Sequence, residues 1–255
     1  RYTGLKQIKG SEIGKEGNKK CTIPFNFYPP IRDGLHLTDD ELRLHIAFTA
    51  DGSFQRKGET VNARIRVKNE SKKQRLRELL RRVFGSIDER ITESEPEYSR
   101  FYFEPIIREK SFDMLWEANK RQLDVIASEI ALWDGNGSTV FRTTKKNEAD
   151  FIQYVWQSIY NENITLTEQP RHDKTPFHIE YKVLLTKRKT IGTLHTLKKE
   201  RKNDVNEYCF TMPNGRFIIR SNNHILLTLN SGAGKDTALK AAQNMFQPYI
   251  DRYLP

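Results

Sequence analysis

Cysteine is scarce in this 255-residue chain, which contains only Cys21 and Cys209. Two cysteines so far apart indicate neither a disulfide framework nor a cysteine-based metal site. The chain also lacks a long apolar run. A membrane helix needs roughly 20 predominantly apolar residues, and the nearest candidate, residues 125–133, is interrupted by Glu129. We therefore expect a protein without a membrane partner.

An initiator methionine is missing as well, since the sequence begins with Arg1 and shows no signal-peptide pattern. We expect a cytoplasmic protein whose N-terminal part lies upstream of this sequence. Residues 1–36 are then expected to be a linker or a remnant of that upstream part.

Acidic residues are outnumbered: 33 Asp and Glu stand against 43 Lys and Arg, for a net charge of +10. A surplus of positive charge suits a polyanionic partner, and for a soluble protein nucleic acid is the usual one. A basic surface that serves solubility alone would have the same balance. The positions of the basic residues are therefore needed to distinguish a nucleic-acid-binding surface from one that serves solubility alone.

Two segments follow the same pattern, a helix-length apolar stretch that stops at an Asp-Gly pair. They are residues 37–52 and residues 122–135. Thr38 and Glu41 have the spacing of a capping box, which predicts the start of the first helix. A strand pattern and then a second amphipathic helix follow each Asp-Gly pair. The sequence therefore predicts a duplicated α+β unit.

The strand after the first Asp-Gly pair has two chemically different faces. Residues 60–68 alternate strictly, so that the apolar side chains would face a core. The opposite face carries only positive charge, from Arg64, Arg66 and Lys68. Such a strand can lie along a DNA groove, where basic side chains meet phosphates and base edges, whereas a solvated sheet face usually mixes charge signs. We predict DNA contacts for these residues and for Arg142 in the second repeat.

Two further features are expected to be structural. The basic run at residues 72–77 has the pattern of the solvated face of an amphipathic helix. His45 lies within the first motif helix, where a structural role is the simpler interpretation.

The duplicated motif resembles that of the LAGLIDADG homing endonucleases, with a fair match at residues 47–52 and a looser one at residues 130–135. In that family two motif helices pack side by side, and each ends in an acidic residue at a shared active site. The resemblance implies an α+β fold with pseudo-two-fold symmetry, made of two αββα-type repeats, in a monomer that cleaves double-stranded DNA. It implies Asp51 and Asp134 as catalytic residues and as ligands of Mg²⁺.

Electrostatics gives an independent reason for a metal at these aspartates. An aspartate at a helix C-terminus is misplaced, because the last carbonyls already carry partial negative charge. A divalent cation reverses that penalty, and oxygen ligands suit Mg²⁺, which can assist phosphodiester hydrolysis. We expect Gly52 and Gly135 to end the two helices, since glycine adopts the left-handed conformation without steric cost. The alternative to metal ligands is that Asp51 and Asp134 merely belong to these helix stops, because Asp-Gly is a common turn dipeptide.

The C-terminal region resembles the end of an intein, on the block at residues 207–231. In inteins the terminal asparagine cyclises and cuts the bond to the next residue, which must be a nucleophile. The resemblance gives these roles to Asn230 and Ser231, and an assisting role to Cys209. It implies a β-rich Hint splicing domain that acts on its own host protein in cis. Because no N-terminal intein block precedes residue 37, we expect cleavage after Asn230 rather than complete splicing.

Residues 231–255 are expected to be the start of the host protein. Gly234 and Lys235 resemble the second half of a Walker A phosphate loop, although Asp236 stands where Ser or Thr is usual. The resemblance implies a phage P-loop NTPase as host, and a cell that carries this phage as the location. Alone, these residues are expected to bind no nucleotide.

The sequence thus predicts four regions and one leading function. The regions are residues 1–36 (linker), 37–165 (endonuclease), 166–230 (splicing region) and 231–255 (host segment). The leading function is an intein fragment that carries a site-specific DNA endonuclease and a splicing block. Two alternatives remain open: a decayed endonuclease that acts only as a basic nucleic-acid-binding module, and a fragment of a terminase-like host NTPase that the intein interrupts.

Overall fold

The computed structural model describes residues 22–24, 27, 29–57, 60–133, 139–160, 162–171, 178–186, 190–193, 216–221 and 223–229. The chain divides into two compact units. The repeat unit comprises Tyr28–Ile159 and Leu166–Leu184. The terminal unit comprises Arg1–Phe27, Tyr160–Thr165 and Leu185–Pro255.

The helices and strands among the described residues follow in chain order. They are β1 (Thr22–Pro24), α1 (Asp39–Asp51), β2 (Gly52–Lys57), β3 (Thr60–Val67), α2 (Glu70–Phe84), β4 (Asp88–Thr92), β5 (Glu95–Phe103), a 3₁₀ helix (Asp113–Glu117), α3 (Lys120–Trp133), β6 (Val140–Thr143), α4 (Lys146–Tyr160), β7 (Asn163–Arg171), β8 (His178–Thr186), β9 (Thr190–Thr193), β10 (Arg216–Ser221) and β11 (His224–Leu229).

Helix α1 begins where the sequence predicts it. The Thr38 hydroxyl accepts a hydrogen bond from the Glu41 backbone N–H at 3.3 Å, and the Glu41 carboxylate accepts one from the Thr38 N–H at 2.8 Å. This reciprocal pair confirms the predicted capping box. Asp39 and Asp40 add negative charge at the positive end of the helix dipole.

The end of α1 differs from the expectation for Gly52. This residue has φ −93° and ψ 170°, which is ordinary extended backbone, and β2 starts with it. The left-handed helix stop predicted here is therefore wrong. Glycine is needed for another reason, because a Cβ would lie well under 3.0 Å from the ring and the carbonyl oxygen of Phe48. Gly85, which follows α2 with φ 72°, is the left-handed helix stop.

The first half of the repeat unit folds into a four-stranded sheet with the order β2-β3-β5-β4. All three neighbouring pairs are antiparallel. The alternation predicted for residues 60–68 is confirmed on the packed face, where Ala63, Ile65 and Val67 are buried. The opposite face of the same strand carries Arg64, whose guanidinium donates to the Ser53 hydroxyl on β2.

Helix α1 packs on the apolar face of this sheet through Phe48. The Phe48 ring meets the Phe54 ring edge-on at 4.8 Å between centroids and the Phe103 ring at 6.2 Å. Edge-to-face geometry of this kind is favourable for aromatic rings. These contacts fix the last turn of α1, and with it Asp51, relative to the sheet.

The described part of the second half follows the same order of elements, except that it contains no counterpart of β2. Its elements α3, β6, α4, β7 and β8 correspond in order to α1, β3, α2, β4 and β5, and the sheet order β6-β8-β7 matches β3-β5-β4. Phe141 and Val183 pair across β6 and β8 and are buried. The protein therefore contains mixed helix and sheet in a duplicated arrangement, and each copy continues for two strands beyond its second helix.

The repeat unit extends past the boundary expected at residue 165. Strands β7 and β8 join the sheet of β6, and residues 166–184 group with the repeat unit. These residues, expected in the splicing region, instead complete the second repeat. Alternation along a strand shows which side chains share a face, but it does not show which sheet the strand joins.

The described part of the terminal unit contains two pairs of strands. β10 and β11 form an antiparallel hairpin whose register runs from Arg216–Leu229 to Ser221–His224. Asn223 in its turn has φ 62°, a conformation that asparagine tolerates better than most residues. β1 and β9 form the second antiparallel pair. Strand β11 ends at Leu229, directly before Asn230 in sequence.

None of the helices in the described ranges has the length and apolar character that crossing a bilayer requires.

Candidate functional site

Helices α1 and α3 lie side by side and run in the same direction. At their first turns the Arg121 guanidinium pairs with the Asp39 carboxylate. At their last turns the Lys72 ammonium contacts both Asp51 and Trp133. Each helix also contributes a small buried side chain, Ala47 in α1 and Ala127 in α3. The C-termini of the two motif helices therefore meet at one place.

Lys72 Nζ lies at this meeting point. It donates to Asp51 Oδ2 at 2.6 Å and to the backbone carbonyl oxygen of Trp133 at 2.8 Å. The Trp133 ring centre is 5.3 Å from the same nitrogen, which adds a cation–π contact. The side chains of Asp51 and Lys72 are only 28% and 25% exposed, so water screens this ion pair less than a surface pair.

Negative charge accumulates at the two helix ends. The C-terminus of each helix carries partial negative charge, neither last turn contains a basic residue, and Asp51 adds a full charge. Lys72 belongs to the first turn of α2, capped by Asn69, whose side chain accepts from the Lys72 N–H at 3.2 Å. A cation there is unfavourable for the dipole of α2 itself. The ammonium is therefore held in place by the oxygens it neutralises.

Glu129 fixes the last turn of α3 from inside the protein. Its side chain is 2% exposed and accepts hydrogen bonds from Arg75 at 3.1 and 2.6 Å. It also accepts one from the indole N–H of Trp133 at 2.9 Å, and the Arg43 Nε lies 3.7 Å from Oε2. Since Trp133 supplies the carbonyl that Lys72 contacts, this network positions one side of the site.

The solvated face predicted for residues 72–77 is wrong at its ion-paired members. Arg75 binds Glu129, and Arg77 makes a two-bond contact with Glu89 at 2.8 and 2.7 Å. The Glu89 contact raises the pKa of Arg77. The sequence did carry a signal for these pairs, because the lone Glu129 in an apolar helix face needs a cationic partner when it is buried.

The donor atoms at the helix ends fit a hard divalent cation. The Asp51 carboxylate and the Trp133 carbonyl both offer oxygen, the ligand type that Mg²⁺ and Ca²⁺ prefer. Asp134, the second predicted ligand, follows Trp133 in sequence and lies outside the described residues, as does Gly135. Within the described ranges, no group of three or more His, Cys, Asp or Glu could hold a metal alone. A cation here would need further ligands, and Mg²⁺ usually keeps several waters.

The exposed face of the first sheet carries the three basic residues predicted from β3. The Arg66 guanidinium carbon lies 3.7 Å from the centre of the Tyr98 ring, and Lys68 Nζ lies 5.8 Å from it. Arg64 donates to the Ser53 hydroxyl at 3.3 Å. Neighbouring strands therefore hold these long side chains in place.

The sequence of β3 suggested a face with positive charge only, but the sheet face also carries carboxylates. Glu95 pairs with Arg66 at 2.5 Å and with Arg100, and Asp88 pairs with Arg90 at 2.6 Å. A single charge sign is a property of β3 alone and is wrong for the whole sheet face. The carboxylates come from β4 and β5, and the sequence did not predict that these strands join the sheet of β3. The face therefore mixes charge signs, as a solvated sheet face usually does, and charge sign alone no longer favours DNA contact.

A depression of about 590 Å³ opens on this sheet. It is lined by Gln55, Arg56, Asn62, Asp88, Arg90, Tyr102, Phe103 and Glu104. Amide and guanidinium side chains are the groups that most often make paired hydrogen bonds with base edges. The depression therefore offers both donors and acceptors in addition to charge.

The Arg142 side chain lies on the exposed side of the second sheet and is 48% exposed. In the register of β6 and β8, Arg142 is opposite Lys182. It donates to Glu180 at 2.5 Å, and the other oxygen of Glu180 accepts from Arg171 at 3.1 Å. The four predicted DNA contacts thus divide between the sheets, three in the first and one in the second.

The remaining predicted site residues lie outside the described residues. They are Cys209, Asn230, Ser231, Gly234 and Lys235.

His45 is buried in α1, in agreement with the structural role expected from the sequence. It is 2% exposed, and its Nε2 lies 3.1 Å from the Ser111 carbonyl oxygen. Burial lowers the pKa of His45, and the contact with Ser111 opposes this in part. The imidazole is therefore held in its neutral form in the core.

No protein-family model matches this chain, and no curated protein matches it. Among solved structures it is similar to mesophilic variants of the homing endonuclease I-DmoI, with 13% identity, a TM-score of 0.40, and coverage of 58% of this chain and 88% of that one. For I-DmoI in complex with DNA and Mn the values are 12%, 0.40, 58% and 89%. For the N-terminal LAGLIDADG domain of DUF199/WhiA they are 12%, 0.39, 58% and 76%. Similarity at this level assigns neither a family nor a function.

Proposed function

We propose that the repeat unit is a divalent-metal-dependent endonuclease that cuts double-stranded DNA at a specific site. One observation carries the proposal: Lys72 joins the C-terminal ends of two parallel helices at Asp51 and Trp133. One helix ends in a carboxylate, and Asp134 follows the other in sequence. Collecting negative charge at one point is unfavourable for folding, whereas a cation-dependent reaction requires it.

In this proposal Asp51 and Asp134 hold the cation, with the Trp133 carbonyl as a further oxygen ligand. Bound Mg²⁺ supplies a polarised phosphoryl oxygen and an activated water. The chain's own residues orient these ligands. Phe48 packing fixes Asp51, and the Glu129 contacts fix Trp133.

The sheet faces are proposed to bind the DNA. Arg64, Arg66, Lys68 and Arg142 contact phosphates and base edges. The acidic partners favour a sequence-specific role over general attraction, since carboxylates on a DNA-binding face penalise wrongly placed phosphates. Glu95 and Glu180 would release their arginines only where phosphates or bases replace the lost contacts.

A cleavage selection tests this function, because the target sequence is not encoded in the contacts. Purified protein is incubated with Mg²⁺ and circular duplexes that contain long random inserts, and the ends of linearised molecules are sequenced. We expect one family of related sites and no linear product in EDTA. An Asp51→Asn protein purified in parallel controls for contaminating nucleases. Products without shared sequence, or products formed equally in EDTA, contradict the proposal.

A nucleic-acid-binding module without cleavage is the second candidate. The position of Lys72 favours this second function, because its ammonium already neutralises Asp51 without a metal. A protein that binds duplex DNA and yields no product with Mg²⁺, Mn²⁺ or Ca²⁺ would have this function.

For the terminal unit we propose autocatalytic cleavage after Asn230 in a β-rich splicing domain, with Cys209 assisting. The Asn230 side-chain amide attacks its own backbone carbonyl to form a succinimide, and the amino group of Ser231 leaves; Ser231 would act as a nucleophile only in complete splicing. The support is the intein-like sequence block and the hairpin strand β11, which ends one residue earlier. Mass spectrometry of the purified chain should detect release of residues 231–255, and Asn230→Ala should prevent it. Equal release from the Asn230→Ala chain would contradict this role.

The released segment is proposed to begin a phage P-loop NTPase, with Gly234 and Lys235 in its phosphate loop, and the protein to act in the cytoplasm of a cell that carries the phage. Sequencing the gene upstream of the Arg1 codon tests this. A Gly-x pair before an intein-like first block would restore the loop after splicing, and its absence would contradict the host assignment.

A further inference from the structure

We propose that Lys72 is a built-in counter-ion that competes with the divalent cation for the Asp51 site, so that the metal binds only when the ammonium leaves. The inference rests on the proposed metal site and names what controls its occupancy. It starts from one nitrogen atom that contacts an oxygen at the end of each helix, Asp51 Oδ2 at 2.6 Å and the Trp133 carbonyl oxygen at 2.8 Å.

The two cations cannot share these oxygens at low energy. An ammonium 2.6 Å from Asp51 Oδ2 already neutralises the oxygen to which a metal would bind at about 2.0–2.1 Å. Like charges at such separations repel strongly where water is partly excluded, and both side chains are about three-quarters buried. Occupation by Lys72 and occupation by a metal are therefore alternatives.

The position of Lys72 in its own helix indicates that its contact with the two helix ends is specific. It lies in the first turn of α2, where its charge opposes that helix's dipole. Lys73 is the next residue in the same turn, and its ammonium pairs with Glu70 at 3.3 Å, within its own helix. Lys72 instead reaches out of α2 to the ends of two other helices.

Two consequences follow for the metal-free protein. Lys72 stabilises it by neutralising the two helix ends, and by the same contact it weakens metal binding. Replacing Lys72 with a neutral residue should therefore lower the stability of the metal-free protein and raise its affinity for cations. It should also make the unfolding temperature depend more steeply on Mg²⁺ concentration, because tighter binding to the folded state gives a larger stabilisation.

The test measures cation binding without any DNA or cleavage. Tb³⁺, which prefers oxygen ligands as Ca²⁺ does, is titrated into the full chain, and its luminescence sensitised by Trp133 is recorded; Mg²⁺ is then used to displace it. We expect Lys72→Met to bind Tb³⁺ and Mg²⁺ about tenfold more tightly than the wild type, in line with the loss of one repelling charge. Lys72→Arg, which keeps the charge, should bind no more tightly than the wild type.

Controls separate this inference from the proposed function. Lys120→Met removes a charge from an exposed pair with Asp124 and should leave affinity unchanged. Asp51→Asn should abolish the sensitised signal in both backgrounds. Circular dichroism verifies that each variant is folded, and Lys72→Gln replaces Lys72→Met should the latter unfold.

Equal affinities for the wild type and the neutral Lys72 variants, with binding lost in Asp51→Asn, would overturn the competition and leave the metal site intact. Binding that survives Asp51→Asn, or no binding in any variant, would overturn the metal site and the competition together.

Discussion

His45 is a titratable side chain whose protonation opposes folding. Burial lowers its pKa below 6.5, with the Ser111 carbonyl acting in the other direction. Between the lowered pKa of the folded protein and about pH 6.5, the unfolded chain binds more protons at His45 than the folded protein does. The free energy of unfolding therefore falls as the pH drops below that value, while above it His45 contributes no pH dependence.

We predict that His45→Gln reduces this loss of stability at low pH. Urea midpoints at about pH 7.5 and pH 5.5 measure it. The wild type should lose more stability between these values than the variant. His36→Gln, at an exposed position, serves as the control and should behave like the wild type. Equal losses for His45→Gln and the wild type would show that His45 does not contribute.

Gly52 is limited by the space around it and Gly85 by its backbone conformation. Gly52→Ala places a Cβ against the Phe48 ring and carbonyl, and overpacking of this kind costs about 1–3 kcal/mol. Gly85 has open space around it and φ 72°, so Gly85→Asn should cost only a few tenths of a kcal/mol because asparagine adopts this conformation. Denaturant unfolding of both variants measures the difference, and equal costs would contradict it.

Helix α3 contains a buried charge, the Glu129 carboxylate. Glu129 joins it to α2 through Arg75 and to its own last turn through Trp133. Removing one partner of a buried ion pair leaves the other uncompensated, at a cost of about 3–5 kcal/mol. The stability of this helix and the placement of the site therefore share one network.

We predict that Glu129→Ala lowers the free energy of unfolding by about 3 kcal/mol or more. Asp124→Ala, on the exposed side of the same helix and paired with Lys120, should change it by less than about 1 kcal/mol. Urea unfolding of the two variants provides the comparison. Similar losses would mean that the Glu129 contacts carry no special weight.

Local signals predicted some elements and missed others. The capping box of Thr38 and Glu41 gave the start of α1, and strict alternation gave the buried face of β3, because both depend on neighbouring residues. Strands β4 and β5 were not predicted, since residues 88–103 mix charge with aromatic residues. The contact between Lys72 and Asp51 depends on the whole β2–β3 hairpin that separates them, and no local pattern encodes it.

For the whole molecule, the net charge of +10 acts through the surfaces on which it is placed. Binding of duplex DNA should weaken with salt, because each phosphate that is neutralised releases a counterion. The mixed sheet face predicts that part of the charge is committed to internal pairs. The salt dependence should therefore be set by a subset of the basic residues.

We predict that Arg64→Ala and Lys68→Ala each make the plot of the logarithm of the DNA association constant against the logarithm of salt concentration shallower. The negative slope should become smaller in magnitude by about 0.9 for each variant. Fluorescence anisotropy with a labelled duplex of arbitrary sequence measures this slope. Lys120→Ala is the matched control, because Lys120 lies in the first turn of α3 and belongs to no strand. This variant should leave the slope unchanged. Slopes that do not differ between the sheet variants and the control would contradict binding through this face.

The most direct test of the account compares cleavage and binding in two single variants, Asp51→Asn and Asp134→Asn, on a substrate obtained by selection. If both residues hold one cation, each variant should lose cleavage by about 100-fold or more, since losing even an outer partner of a metal ligand costs about 10–100-fold. Both should still bind the duplex with nearly wild-type affinity. Cleavage that persists in either variant would contradict a shared metal site at the ends of α1 and α3.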